Sequence, residues 1–233
     1  MNEELKYLDL KTHELFSHLN NEKMKELVQL ASYHQKCNNQ IIYNSNKSIE
    51  KLYLLNRGRI KISYCRQKEV EVVSEILKEG DLFGELQLNK SENINGEFAQ
   101  VLSEEAGYYS FDLTGFRNFI NSDHTTAFVF SQMIAAKLKI ISTKFADLFF
   151  KDVRSRVLNF LALHAKYEGV WNENKVEIDM YMNHNDIASF TASARQTVST
   201  IINNLIKEKL IFYEGRKKLI IPDIRKLNSS EDS

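Results

Sequence analysis

Arg195, Gln196, Ser199 and Thr200, in the stretch SARQTVSTIINNLI, are side chains that could read the edges of base pairs. An arginine can donate two hydrogen bonds to guanine, and a glutamine amide can pair twice with adenine. Each bidentate contact of this kind is worth roughly 1–3 kcal/mol of discrimination against the wrong base. Helical spacing turns Val198, Ile201, Ile202 and Leu205 to one side and leaves these four, with Asn203, on the other. Ser193 followed three residues later by Gln196 reads as a capping box, so the helix is expected to start there. Ser193 and Asn203 then fall where phosphates flank the bases. Phosphate contacts fix register without reading sequence.

A reading helix needs a second helix and a scaffold to aim it. Just upstream, HNDIASF at 184–190 places Ile187 and Phe190 on a core side, as a short first helix before a tight turn. Downstream, LIFYEGRKKLIIP reads as a β-hairpin with Gly215 at its turn and Arg216, Lys217 and Lys218 at its tip, as further phosphate contacts. From Arg195 to Lys226 there are eight Lys or Arg against three Asp or Glu, a local excess of five positive charges. Over the whole chain 31 basic and 31 acidic residues cancel, so no global field marks a polyanion partner. A plain helical hairpin with a solvated polar face competes for the same residues. The capping box, the inward stripe and the basic hairpin together favour double-stranded DNA.

A second stretch, GDLFGELQLNKSENINGEFAQV at 80–101, opens like a loop that wraps a phosphate. Gly80 and Gly84 suit a tight backbone, and Glu85 can accept from a hydroxyl. Yet between Glu85 and Phe116 the one basic residue is Lys90.

Helical spacing marks residues 12 to 36 through Leu15, Phe16, Leu19, Leu27, Leu30 and Ala31. From about Gln40, short β-type runs follow (QIIY, KLYLL, RIKISYC, EVEVVSEIL), with turns at 56–58, Gln67-Lys68 and 79–81. They predict a small sandwich or barrel ending near Phe111. Asp112 and Thr114 could cap a short helix, and a long one is expected from Asp123 to about Phe149. Ile134, Leu138, Ile141, Phe145 and Leu148 alternate by four and three along it, the spacing of a coiled-coil seam. Another helix is expected over 152–168, with Val153, Val157, Phe160 and Leu161 inward. The fold class is therefore α+β.

This order is similar to that of the Crp/Fnr family of bacterial transcription regulators, through GDLFGEL, KDVRSRVLNFLALHA and ARQTVSTIINNLIKEKLI. The resemblance covers nearly the whole chain. It implies a sensor-like jelly-roll barrel of the cyclic-nucleotide-binding type over 1–120, a dimerisation helix over 121–150, a winged helix-turn-helix over 151–228 and a polar tail over 229–233. It also implies a homodimer on a two-fold symmetric DNA site, with RNA polymerase as a candidate partner. In the family a Gly-Glu turn, an Arg-Ser pair and a Thr-Ser pair on the long helix enclose cyclic AMP. Gly84 and Glu85 match the first. The Arg-Ser pair falls on Gly96 and Glu97, and the Thr-Ser pair on Ile141 and Ser142. Losing a charge-assisted phosphate contact forfeits a few kcal/mol, so cyclic AMP is not the expected ligand. An unknown small effector, or none, remains open.

Other classes fit less well. An iron–sulfur sensor needs about four cysteines, and this chain has two, Cys37 and Cys65. None of the six histidines lies between residues 40 and 112, so no cupin-like metal site is expected in the barrel. No nucleophile elbow, Walker loop or dinucleotide fingerprint occurs, and no enzyme or cofactor is expected. The start, MNEELKYLDL, lacks a signal-peptide layout, and no 18-residue apolar run exists, so a cytoplasmic protein off the membrane is expected. The competing functional reading is a barrel serving as a protein-interaction or small-effector module, its helix-turn-helix being structural.

Overall fold

A computed structural model describes residues 2–44, 51–66, 70–86, 96–215 and 218–229. The turn expected at Gln67-Lys68, Lys90, Arg216, Lys217 and most of the polar tail lie outside them. The chain divides into two compact units, Met1–Ile141 and Ser142–Ser233.

In the first unit two capped helices come before the strands. Helix α1 (Glu3–Thr12) starts at Asn2, whose side chain accepts from the Glu4 N–H. Helix α2 (Asn21–Leu30) starts at Asn20, which accepts from Lys23 N–H at 2.9 Å. The helical stretch expected over 12–36 is thus corrected at both ends. Leu15 and Phe16 sit in a turn and Leu19 just after it, between the helices, and strand β1 (Ser32–Cys37) has already begun where helix was expected. Its polar sequence, SYHQKC, becomes a strand by pairing with a distant partner. Tyr33 packs edge-on against Tyr109 at 5.2 Å, and His34 stacks on Tyr108 at 5.3 Å.

The predicted runs appear as β2 (Ile41–Asn44), β3 (Lys51–Arg57), β4 (Ile60–Arg66) and β5 (Val70–Leu77), followed by β6 (Leu82–Gly84), β7 (Glu97–Val101) and β8 (Glu105–Asp112). They form two four-stranded antiparallel sheets, in the orders β1-β8-β3-β6 and β2-β7-β4-β5. Strand β8 is buried on both faces. Tyr109 and Phe111 point to a cluster with Phe16, Met24, Leu27, Phe116 and Phe130, while Ala106 and Tyr108 point into the barrel with Leu55, Ile60, Phe83 and Val101. Each fully buried side chain of this size contributes about 1.5–3 kcal/mol.

Asp112 caps α3 (Leu113–Asn121), accepting from the Thr114 and Gly115 N–H groups at 3.0 and 3.1 Å. Helix α4 (His124–Phe150) follows, its first turn held by Asp123 accepting from Thr126 N–H at 2.7 Å. Its early turns bury Phe130 and pack Val129, Met133 and Ile134 on the helical side of the barrel. Lys137 extends that hold, with Nζ 3.0 Å from a Glu75 carboxylate oxygen and donating to the Leu82 carbonyl at 3.2 Å.

The second unit contains the last turns of α4, then α5 (Val153–Glu168), β9 (Val170–Asn172), β10 (Lys175–Asp179), α6 (His184–Phe190), α7 (Arg195–Lys207), β11 (Phe212–Glu214), β12 (Lys218–Ile221) and α8 (Ile224–Ser229). One antiparallel sheet, ordered β11-β12-β10-β9, backs the helices. Val157, Phe160, Leu161, Val176, Ile187, Val198, Ile202, Leu205 and Leu219 are all buried here.

Candidate nucleic-acid interface

Helix α6 begins with a full capping box. The Asn183 side chain accepts from Asp186 N–H, and Asp186 in return accepts from Asn183 N–H at 3.0 Å. The helix stops at Thr191, whose hydroxyl donates to the Ile187 carbonyl at 2.7 Å. Ala192 then takes a left-handed conformation, φ 48°, and reverses the chain. This turn corrects the capping box expected at Ser193. The reversal brings the Ser193 hydroxyl to 2.9 Å from that of Thr191, and the N-cap of α7 is Ala194, which makes no side-chain cap. The first N–H groups of α7 are left for water or for phosphate oxygens.

Arg195, Gln196, Thr200 and Asn203 are exposed along α7, opposite buried Val198, Ile202 and Leu205. The Thr200 hydroxyl donates to the Gln196 carbonyl at 3.0 Å, which leaves its lone pairs to accept from a base. Ser199 is not with them. It is half-buried, with its hydroxyl 2.9 Å from His184 Nδ1, so it ties the two helices together instead of facing out. Burial first, and the charge of Arg195 second, hold the His184 imidazole below its ordinary pKa. Thr197, not singled out from sequence, is exposed beside Gln196.

Arg156 was also missed. From α5 its guanidinium donates to the carbonyls of Thr191 at 2.8 Å, Lys151 at 2.6 Å and Ala192 at 3.4 Å. It therefore braces the reversal between the reading helices. The stretch KDVRSRVLNF held the residue in view, but its partners in the reversal, Thr191 and Ala192, lie 35 and 36 positions on.

At the hairpin, Gly215 turns with φ 68°, and Lys218 is less available than expected. Its Nζ lies 3.1 Å from Glu177, whose other oxygen meets Lys175 at 2.8 Å. Glu177, with Glu214 and Asp179 nearby, holds the Lys218 ammonium above its ordinary pKa. Three carboxylates compete with any phosphate for this side chain.

The cradle residues sit differently. Gly84 has φ +86°, and a Cβ there would lie 2.7 Å from both the Lys51 carbonyl oxygen and the Tyr53 ring. Gly96 has φ +98°, and its Cβ would overlap the Cys65 carbonyl. Both glycines are required by the close approach of neighbouring backbone. Glu85 is buried. Glu97 accepts from Tyr43 Oη at 2.8 Å through one oxygen and from Tyr64 Oη at 2.7 Å through the other. Tyr43 stacks on Tyr53 at 5.5 Å, and Tyr53 on Phe83 at 5.0 Å. Burial, with Glu97 adding to it, raises the Tyr43 and Tyr64 pKa values; burial pushes Tyr108, which meets Tyr53 edge-on, up to about 12. Ser142 is an exposed residue of α4, assigned to the second unit.

On α4, Leu138, Ile141, Phe145 and Leu148 are 62, 55, 62 and 43% exposed. Ile134 leaves that seam, since it is packed against the barrel's helical core. Among the described residues no group of three His, Cys, Asp or Glu could hold a metal ion, and no helix is long and apolar enough to cross a membrane.

Residues 155–230 match the family of the Crp-like helix-turn-helix domain. The anaerobic regulatory protein of Bacillus subtilis is 23% identical over 213 residues, 91% of this chain and 86% of that protein. A CooA mutant from Carboxydothermus hydrogenoformans superposes with a TM-score of 0.76 at 22% identity, covering 95% of this chain and 97% of that one. A CRP/FNR-family transcriptional regulator of Thermus thermophilus gives 0.68 at 18%, covering 87% and 99%. The chain carries a Crp-like helix-turn-helix domain over 155–230, with α6 and α7 as its two helices, and is similar in fold to Crp/Fnr regulators over nearly its whole length. That domain makes it a DNA-binding transcription regulator.

Proposed function

We propose that this chain binds a two-fold symmetric DNA site as a homodimer joined along α4, and that cyclic AMP does not control it. Four large apolar side chains in four-three spacing, each at least 43% exposed, support the dimer. A helix of this length does not leave such a stripe in water unless another surface covers it. Arg195, Gln196 and Thr200 are the base-reading side chains, with Thr197 beside them and Asn203 at a phosphate.

The observation that carries the effector reading is the Glu97 carboxylate, closed between Tyr43 and Tyr64. Where the family's grip would offer a cation, this chain offers an anion already satisfied by its own hydroxyls. A cyclic phosphodiester gains no charge-assisted contact from these groups and meets a like charge.

Selection of duplexes from a random pool, run with and without cyclic AMP, tests both parts. The expected outcome is one two-fold symmetric motif, enriched equally in both arms, with a dimer mass by light scattering. Enrichment confined to the cyclic AMP arm would remove the effector reading. A monomer selecting a single half-site would remove the dimer.

A further inference from the structure

Two turns of α4 carry both exposed seam residues and anchors into the reading head. Phe145 and Leu148 are exposed, while their neighbours Lys144 and Asp147 reach back. The Lys144 ammonium stands 3.9 Å from the centroid of the Phe190 ring, which closes α6. That ring meets Phe160 of α5 edge-on at 5.2 Å, and Phe160 meets His164 at 4.4 Å. Three residues along α4, Asp147 accepts from the Asn159 amide of α5 at 3.3 Å and lies 3.8 Å from Lys151 Nζ. Residues three apart share one side of a helix, so the two anchors act together. Lys144 is half-buried, and a cation over a ring gains strength as water is withdrawn.

From these contacts we infer that Lys144 and Asp147 are positioning residues that lock each reading head to the distal seam, and so set how strictly the dimer discriminates half-site spacing. The inference rests on the homodimer reading above. Between Phe150 and Val153 the backbone leaves the helix for Lys151 and Asp152. Without side-chain anchors, those two residues would form a joint about which the head could turn. A dimer with free heads could follow a half-site moved around the duplex; one with locked heads could not. One base pair added to the spacer rotates a half-site by about 35°.

The full chain is tested on its selected duplex, and on duplexes with one spacer base pair added or removed. The wild type is expected to lose about tenfold or more in affinity on either altered spacer. Lys144→Met combined with Asp147→Ala is expected to narrow that loss to about threefold. Lys144→Arg, which keeps a cation over Phe190, is expected to stay as strict as the wild type. Affinity for an isolated half-site should be the same in all three proteins, which a general loss of folding would not allow. Should the double variant lose half-site binding, the single Lys144→Met variant is compared with Lys144→Arg on the same duplexes. Equal strictness in the wild type and in the charge-removing variant, with half-site affinity intact, would overturn the lock. A wild-type protein that is monomeric, or indifferent to spacing, would overturn the dimer reading beneath it.

Discussion

The reading head and the barrel cradle carry family motifs of similar clarity, yet their side chains are deployed in opposite ways. In the head, Arg195, Gln196 and Thr200 are held on the exposed face of a helix whose other face is core. In the cradle, Glu97 is turned onto the chain's own tyrosines, and Gly84 and Gly96 serve backbone packing. Glycines in a motif report what the backbone must do. A ligand needs groups that still offer hydrogen bonds, and among the described residues of the two motifs Arg195 and Gln196 of the head stand exposed while Glu97 of the cradle is engaged.

The largest effect that could break this contrast is in the cradle. Gly96→Ala must adopt a left-handed backbone against the Cys65 carbonyl, and is expected to cost about 3 kcal/mol of barrel stability by thermal or urea unfolding. For the same reason, replacing Gly96 and Glu97 by Arg and Ser should not create cyclic AMP binding by calorimetry. A folded double variant that binds cyclic AMP would show that packing does not dictate these residues.

Next, Arg195→Ala is expected to weaken binding to the selected duplex by about 2 kcal/mol while barely changing affinity for random duplex. Equal losses on both would move Arg195 from the bases to the phosphates.

Smaller and opposite in sign is Ala192→Gly. Glycine adopts φ near 48° without the Cβ penalty, so the head should gain about 0.5–1 kcal/mol in unfolding measurements. Destabilisation would mean that the methyl group packs in the turn.

Lys218→Ala should matter least. Its charge is already engaged by Glu177, so the salt slope of DNA binding should change by well under one phosphate contact, about 0.9 in log–log slope. Glu177→Gln, which releases Lys218, should steepen that slope. A full-contact loss in Lys218→Ala would return Lys218 to the phosphate set.

Local patterns were what the sequence made legible. The stripe of Val198, Ile201, Ile202 and Leu205, the Asp112 cap, the runs from Ile41 to Leu77 and the extent of α4 all rest on neighbours within a turn or a strand. The misreadings come from distant partners. Strand β1 is polar and exists because β8 lies beside it. Ser199 turns in because His184, 15 residues earlier, meets its hydroxyl. Ser193 loses its cap to a reversal at a non-glycine residue, which sequence rarely signals. The tyrosine partners of Glu97 were likewise out of local view, since Tyr43 and Tyr64 are 54 and 33 residues away. Ile134 has the seam's spacing, but the barrel reaches it first.

The most direct test of a working head beside a self-satisfied cradle is the affinity of the purified protein for its selected duplex, titrated with and without saturating cyclic AMP. The two curves are predicted to superimpose. A tightening of about tenfold or more, equivalent to 1.4 kcal/mol of coupling, would contradict the account and place a nucleotide grip in the chain.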